Sequence, residues 1–197
     1  MSHYFDETAG APSAEATVTV ELPDMTFTLR TDRGVFSHGR LDAGTALLLR
    51  SSPPPSSDGD ALDLGCGAGA IALTLARRAP GARVWAIDVN DRARALCAAN
   101  AAANGIDNVT VVAPDHVPDD VHFGTIWSNP PIRIGKPALH DLLVRWLDRL
   151  TADGRAVLVV QKHLGADSLH RWLTDQGWPT TRLASSRGYR LLDVQRR

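Results

Sequence analysis

The chain predicts an α/β fold: a doubly wound, mainly parallel sheet of seven strands covered by helices on both faces. Three observations predict it. From residue 60 onward, short apolar runs alternate with longer stretches of helical periodicity. One strand-to-helix passage, Asp63-Leu64-Gly65-Cys66-Gly67-Ala68-Gly69-Ala70, is glycine-rich. Glycines let such a turn close and let backbone N–H groups approach a ligand with no Cβ in the way. The next apolar run, Arg83 to Ile87, ends in Asp88, about 20 residues beyond that turn. Doubly wound sheets that bind nucleotides set a carboxylate there.

The elements follow in order. Thr17 to Leu22 and Thr26 to Arg30 alternate with period two around Pro23-Asp24 and read as a hairpin ahead of the main sheet. Gly34 to Thr45 is a loop that leads into a helix near 43–50. Ser51 to Asp60, rich in Ser and Pro, reads as a flexible connector. Strands are expected near 60–64, 83–88, 108–113, 122–128 and 155–161, and helices near 69–79, 91–103, 137–150 and 165–176. Two last strands near 180–185 and 188–195 turn on Ser186-Arg187-Gly188. The expected organisation is a single domain over 1–197, with the hairpin and first helix in 1–50 and the core in 60–197.

Composition bounds the function. At 197 residues, 44% hydrophobic and 22% charged, the chain is long enough to bury a full core. It has no apolar run of about 18 residues to span a membrane. Met1 to Glu15 is polar and acidic, without the basic-then-apolar pattern of a secretion signal. Cys66 and Cys97 are the only cysteines and lack metal-ligand spacing, so a reduced, cytoplasmic chain with neither disulfide nor metal is expected. The seven histidines show no ligand spacing either.

The net charge of −1 hides a division. Residues 1–127 carry 9 Lys and Arg against 16 Asp and Glu, while residues 128–197 carry 12 against 6. A locally basic half suits a polyanion, since counterion release depends on local charge. The only two lysines, Lys136 and Lys162, both follow expected strand ends, where open α/β sheets bind ligands.

The glycine turn satisfies two patterns. Gly65-x-Gly67-x-x-Ala70 fits a Rossmann dinucleotide fingerprint, and Asp63-x-Gly65-x-Gly67-x-Gly69 fits the S-adenosylmethionine loop of class I methyltransferases. An acid before the first glycine repels a pyrophosphate and suits an ammonium, which favours the second. Asp88 can accept from ribose hydroxyls, or Asp88-Val89-Asn90-Asp91 can simply cap the following helix.

A third element brings chemistry. Phe123 to Trp127 is apolar and runs into Ser128-Asn129-Pro130-Pro131-Ile132. The prolines disfavour helix at Asn129 and Pro130, so the chain is expected to leave the strand rigid and extended. The Asn129 carboxamide oxygen and the Pro130 carbonyl can then accept from one planar amino group. That pyramidalises its nitrogen and aims the lone pair at a methyl group, so positioning replaces a strong base.

On these residues the chain resembles the class I methyltransferases of the ribosomal small-subunit guanine-N2 type, the RsmC-like group. The resemblance spans Gly34-Val35-Phe36-Ser37, Leu41-Asp42-Ala43-Gly44-Thr45, the glycine loop, Asn129-Pro130-Pro131-Ile132-Arg133-Ile134-Gly135-Lys136 and Gln161 to Ala166. It implies a Rossmann-like methyltransferase fold with an antiparallel C-terminal edge. It also implies methyl transfer from S-adenosyl-L-methionine to guanine N2 in 16S ribosomal RNA, free or in the small subunit. Relatives acting on adenine N6 or on protein glutamine usually carry an aromatic residue where this chain has Ile132. Larger members carry a further N-terminal domain, for which this sequence has no room.

The implied catalytic residues are Asn129, Pro130, Pro131 and Ile132. The implied cofactor residues are Asp63, Gly65, Cys66, Gly67, Gly69, Asp88, Val89, Asn129 and Thr45, with Phe36 and Ser37 closing over the cofactor. Asp115, after the third core strand, either accepts from the adenine amino group or is a plain loop acid. Arg133, Lys136 and Lys162 are the implied RNA contacts. Rival readings are the same chemistry on adenine N6 or a protein amide, a nicotinamide-dependent oxidoreductase, and a non-catalytic RNA-binding protein. The oligomeric state is left open.

Overall fold

A computed structural model describes residues 14–35 and 39–197. The elements are β1 (Ala16–Leu22), β2 (Met25–Thr31), α1 (Ala43–Ser51), β3 (Asp60–Leu64), α2 (Ala70–Arg78), β4 (Val84–Ile87), α3 (Asp91–Ala103), β5 (Val109–Val112), β6 (Phe123–Ser128), α4 (Lys136–Leu147), β7 (Leu150–Gln161), α5 (Ala166–Asp175), β8 (Thr180–Ser186) and β9 (Tyr189–Gln195). β1 and β2 form an antiparallel hairpin, and the other strands form one seven-stranded sheet in the order β5-β4-β3-β6-β7-β9-β8. β3 to β7 run parallel, while β9 is antiparallel to both β7 and β8. The expected architecture is borne out, edge and hairpin included.

Alternation along the buried strands divides the core between two faces. Ala61, Val84, Ala86, Trp127, Val157 and Val159 face a layer made by the hairpin, α1 and α2. Leu62, Leu64, Trp85, Ile126, Leu158 and Val160 face α4 and α5, where Trp146 and Trp178 are fully buried. The chain moves outward from β3 through β4 to β5 and then returns to the other side of β3 as β6. β3 and β6 therefore flank the point where strand order reverses, and such sheets bind ligands beyond the strand ends at that point. Leu64 and Ser128, the last residues of these strands, are register partners, and the Ser128 hydroxyl donates to the Leu64 carbonyl at 2.7 Å. The glycine loop and the Asn129 turn thus leave the sheet side by side.

Three local expectations change. Helix α4 ends at Leu147, and Leu150 already pairs with Phe123, so β7 begins five residues earlier than its apolar run indicates. The Arg149 carbonyl accepts from Phe123 N, and its guanidinium from the same residue donates to the Val121 carbonyl, which draws the segment onto the sheet. The Ser51–Asp60 connector is tethered: Ser56 N donates to Thr125 Oγ1 at 2.8 Å, and the Asp58 carbonyl packs against Gly124. Gly124 is skipped in the register with both neighbouring strands. On the outer strand β8, Leu183 is likewise skipped between Arg182 and Ala184, and is 40% exposed.

No helix among the described residues is long and apolar enough to cross a membrane, and no group of His, Cys, Asp and Glu among them is arranged to hold a metal.

Candidate active site

A cavity of about 830 Å³ opens beyond the ends of β3, β4 and β6. Its lining includes the glycine loop with Gly65, Cys66 and Gly67, continued by Asp88 and Val89, and beside it the turn Asn129, Pro130, Pro131 and Ile132. Thr45 and Arg133 also line it. Gly65 and Gly67 have φ of 84° and 51°, and a Cβ at Gly65 would meet nothing within 4 Å, so no side chain fills the space beside the loop; its amides are used within the protein, Gly65 N and Cys66 N donating to the Ile87 carbonyl and Gly67 N to Asp88.

Gly69 stands apart from the wall. Its φ is 94°, and an added Cβ would lie 2.8 Å from Cys97 Sγ, so it serves the close docking of the loop on α3. The side-chain hydrogen bond between Cys66 and Cys97, and burial, push the Cys66 thiol upward, so Cys66 stays an un-ionised thiol.

Asp88 ends the second core strand half-buried, with Oδ2 accepting from Gly67 N at 3.0 Å and Oδ1 from Asn90 N at 2.9 Å. The helix-cap role falls to Asn90, whose side chain accepts from Arg92 N. Asp88 is thereby spared for the cavity, with a lone pair remaining on each oxygen.

Asp63 is fully buried and absent from the cavity wall. Its Oδ2 accepts from Ala72 N at 2.9 Å, and Oδ1 has no hydrogen-bond partner among the described residues. Alternation explains this: Asp63 shares a strand face with Ala61, under α2, instead of pointing along the strand toward the loop. The direct ammonium contact expected of it is not how the chain places it. Burial pushes its carboxyl well above the ordinary range. A carboxyl raised on folding contributes stability below its unfolded pKa that is lost as pH rises through the folded value. The melting temperature of Asp63→Asn should therefore gain on the unsubstituted protein as pH rises above the ordinary carboxylate range, about pH 4. A constant difference over that rise in pH would show that folding leaves this carboxyl's titration unchanged.

The exit from β6 is tighter than expected. Ile132 N donates to the Pro130 carbonyl at 2.8 Å across Pro131, whose φ of −74° and ψ of 75° make an inverse γ-turn. The Pro130 carbonyl thus retains one lone pair for a ligand. Asn129 is held by its amide nitrogen, which donates to Asp42 Oδ2 at 3.0 Å and to Thr45 Oγ1 at 3.1 Å. A carboxylate only accepts, so this pairing leaves Oδ1 as the end of Asn129 still available.

The remaining expected residues scatter. Asp115 is exposed, off the cavity wall, and paired with Arg145 at 3.0 Å, the loop-acid alternative. Lys136 is exposed and borders a smaller recess of about 140 Å³ on the far side of Ile132. Lys162 is exposed in the turn after β7, outside both cavities. Phe36 and Ser37 lie outside the described residues. Asp42, Gln161 and Tyr189 line the cavity without having been expected as site residues. Asp42 and Gln161 fall within recognised strings, but their meeting is set by tertiary structure.

The chain is similar to known proteins in sequence and in fold. A family model described as the methyltransferase small domain matches residues 26–193. The chain is 34% identical to an uncharacterized protein, YbxB of Bacillus subtilis, over 98% of both chains. It is 34% identical to the ribosomal RNA small subunit methyltransferase C of Shewanella amazonensis, over 79% of this chain and 47% of that one. Among solved structures it is similar to T. thermophilus 16S rRNA N2 methyltransferase RsmC in complex with AdoMet and guanosine. The TM-score there is 0.79 at 24% identity, covering 94% of this chain and 52% of that one. The chain spans about half the length of these named methyltransferases and nearly all of YbxB.

Proposed function

We propose, on the premise that this chain belongs to the methyltransferase small domain family, that it moves a methyl group from S-adenosyl-L-methionine to the exocyclic N2 of a guanine in ribosomal RNA. One observation carries the reading. A glycine loop with a strand-end carboxylate and an Asn-Pro-Pro turn line a single cavity, and the turn offers acceptors where an amino group would dock. The cofactor supplies an electrophilic methyl group when bound, and the residues fit it: the side-chain-free space at Gly65 and Gly67 leaves room for its main body, and Asp88 keeps a lone pair on each oxygen for the ribose hydroxyls.

The chain's own task is to orient the acceptor. Asn129 Oδ1 takes one N–H of the amine, and the free lone pair on the Pro130 carbonyl takes the other. Ile132, half-buried on the cavity wall, gives the base an apolar surface. A guanine reaches this turn only outside its stack, flipped or in a single-stranded loop. Guanine is favoured over adenine because Ile132 stands where adenine-N6 relatives usually carry an aromatic residue.

The test incubates the purified protein with labelled S-adenosyl-L-methionine and either 16S ribosomal RNA or small subunits, then digests the RNA for nucleoside mass spectrometry. N2-methylguanosine is expected. Label appearing only in another nucleoside, or only in protein, would overturn the acceptor assignment.

Arg133, Lys136 and Lys162 are assigned to RNA phosphates. Lys136→Ala and Lys162→Ala should each weaken RNA binding and reduce its salt slope by about 1, leaving S-adenosylhomocysteine affinity unchanged. Salt slopes equal to that of the unsubstituted protein would remove both lysines from the RNA face.

A further inference from the structure

Asn129 is useful only if its oxygen, not its nitrogen, faces the acceptor amine. The two ends of a carboxamide are nearly the same size, so packing alone does not choose between them. We propose that Asp42 is the positioning residue that makes this choice, with Tyr189 holding Asp42 in place; this rests on the reading of Asn129 given above.

The bonds form one directed chain. Gln161 Nε2 donates to the Tyr189 hydroxyl at 2.7 Å, and that hydroxyl donates to Asp42 Oδ1 at 3.1 Å. Asp42 Oδ2 then accepts from Thr45 N at 2.9 Å and from Asn129 Nδ2 at 3.0 Å. Burial pushes the Tyr189 phenol upward, which keeps its proton available for Asp42. Because the carboxylate only accepts, the nitrogen of Asn129 is committed to it. A flipped amide would set oxygen against oxygen at Asp42 and N–H against N–H at the substrate.

Gly44 supplies an independent sign that this network shapes the chain. It is the second residue of α1, where glycine is a poor helix former. A Cβ there would lie 2.6 Å from the Tyr189 ring and 2.9 Å from Asp42 Oδ2. The helix therefore accepts a glycine so that Tyr189 and Asp42 can meet. β9 makes the meeting possible by running antiparallel to β7, which sets Tyr189 opposite Gln161 at the cavity edge.

Asp42 also caps α1, so the test must separate capping from positioning. Asp42→Ser keeps a capping oxygen but is too short to serve Asn129 and Tyr189 together. Single-turnover methyl transfer should slow by about 10- to 100-fold, with melting temperature and S-adenosylhomocysteine affinity near those of the unsubstituted protein. The double variant Asp42→Ser/Asn129→Ala should be no slower than Asn129→Ala alone, because Asp42 acts through Asn129. Additive losses in the double variant, or parallel loss of rate and melting temperature in Asp42→Ser, would overturn the proposal.

A readout that needs no substrate completes the experiment. In nitrogen-resolved NMR of the whole protein, the side-chain amide protons of Asn129 should exchange slowly, and Asp42→Ser should release them. Free exchange in the unsubstituted protein overturns the positioning role. Slow exchange together with no guanine methylation overturns the functional reading and leaves the positioning role standing.

Discussion

Asn129→Ala should lower methyl transfer by about 100- to 1,000-fold while leaving the protein folded and able to bind cofactor, the scale expected when a preorganised transition-state contact is removed. The glycine loop and Asp88 are untouched by the substitution, so S-adenosylhomocysteine affinity should change little. The substitution also removes two hydrogen bonds to Asp42 and Thr45, each worth about 1 kcal/mol. Asp42 Oδ2 keeps its bond from Thr45 N, so no carboxylate is stranded. Melting temperature should therefore fall by about 4–8 °C, at roughly 2–4 °C per kcal/mol for this size. Melting, calorimetric binding and single-turnover transfer on one preparation decide the matter. A variant that folds, binds and methylates at nearly the unsubstituted rate would sink the catalytic assignment.

The largest effect on stability is expected at Gly124→Ala. A Cβ there would sit 1.6 Å from the Asp58 carbonyl oxygen and 3.0 Å from Ser56 Cβ. The obstacle is backbone, so no rotamer change relieves it. Either the tethered connector or the first turn of β6 must move, and both are fixed in part by the Ser56–Thr125 bond. The cost should reach or pass the upper end of ordinary overpacking, about 3 kcal/mol, lowering the melting temperature by roughly 10 °C. β6 carries Asn129 at its far end, so methyl transfer should also drop. A circular-dichroism midpoint within 2 °C, roughly 1 kcal/mol, of the unsubstituted protein would show that the connector yields freely.

The sheet was legible because its signals are local. Apolar runs, the glycine loop and the caps offered by Asp88-Val89-Asn90-Asp91 lie within a few residues of what they control. Asp88 and Asn129 were readable as cavity residues because a strand end aims its following residue in a known direction. What escaped depends on contacts distant in sequence. Asp42 meets Asn129 across 87 positions and Tyr189 across 147, and no window along the chain contains both partners. Asp63 is the reverse case: its place in the motif was clear, but strand alternation sent its side chain under α2. The γ-turn at Pro131 was hidden because the two prolines allow both an extended exit and a folded one. The early start of β7 was masked by Asp153-Gly154, which interrupts the apolar run but not the pairing of Leu150.

The irregularity on β8 bears on how the molecule behaves in crowded solution. β8 is an outermost strand of the seven-stranded sheet, and most of its residues are exposed. A flat strand in that position would offer its spare amides and carbonyls as a template for a strand from another molecule. The skipped Leu183 kinks the strand and breaks the spacing of those groups, and Arg182 beside it adds a charge that must be stripped of water before another strand can add. The β8 edge is thereby a poor template for a further strand, even though Leu183 is left partly in solvent.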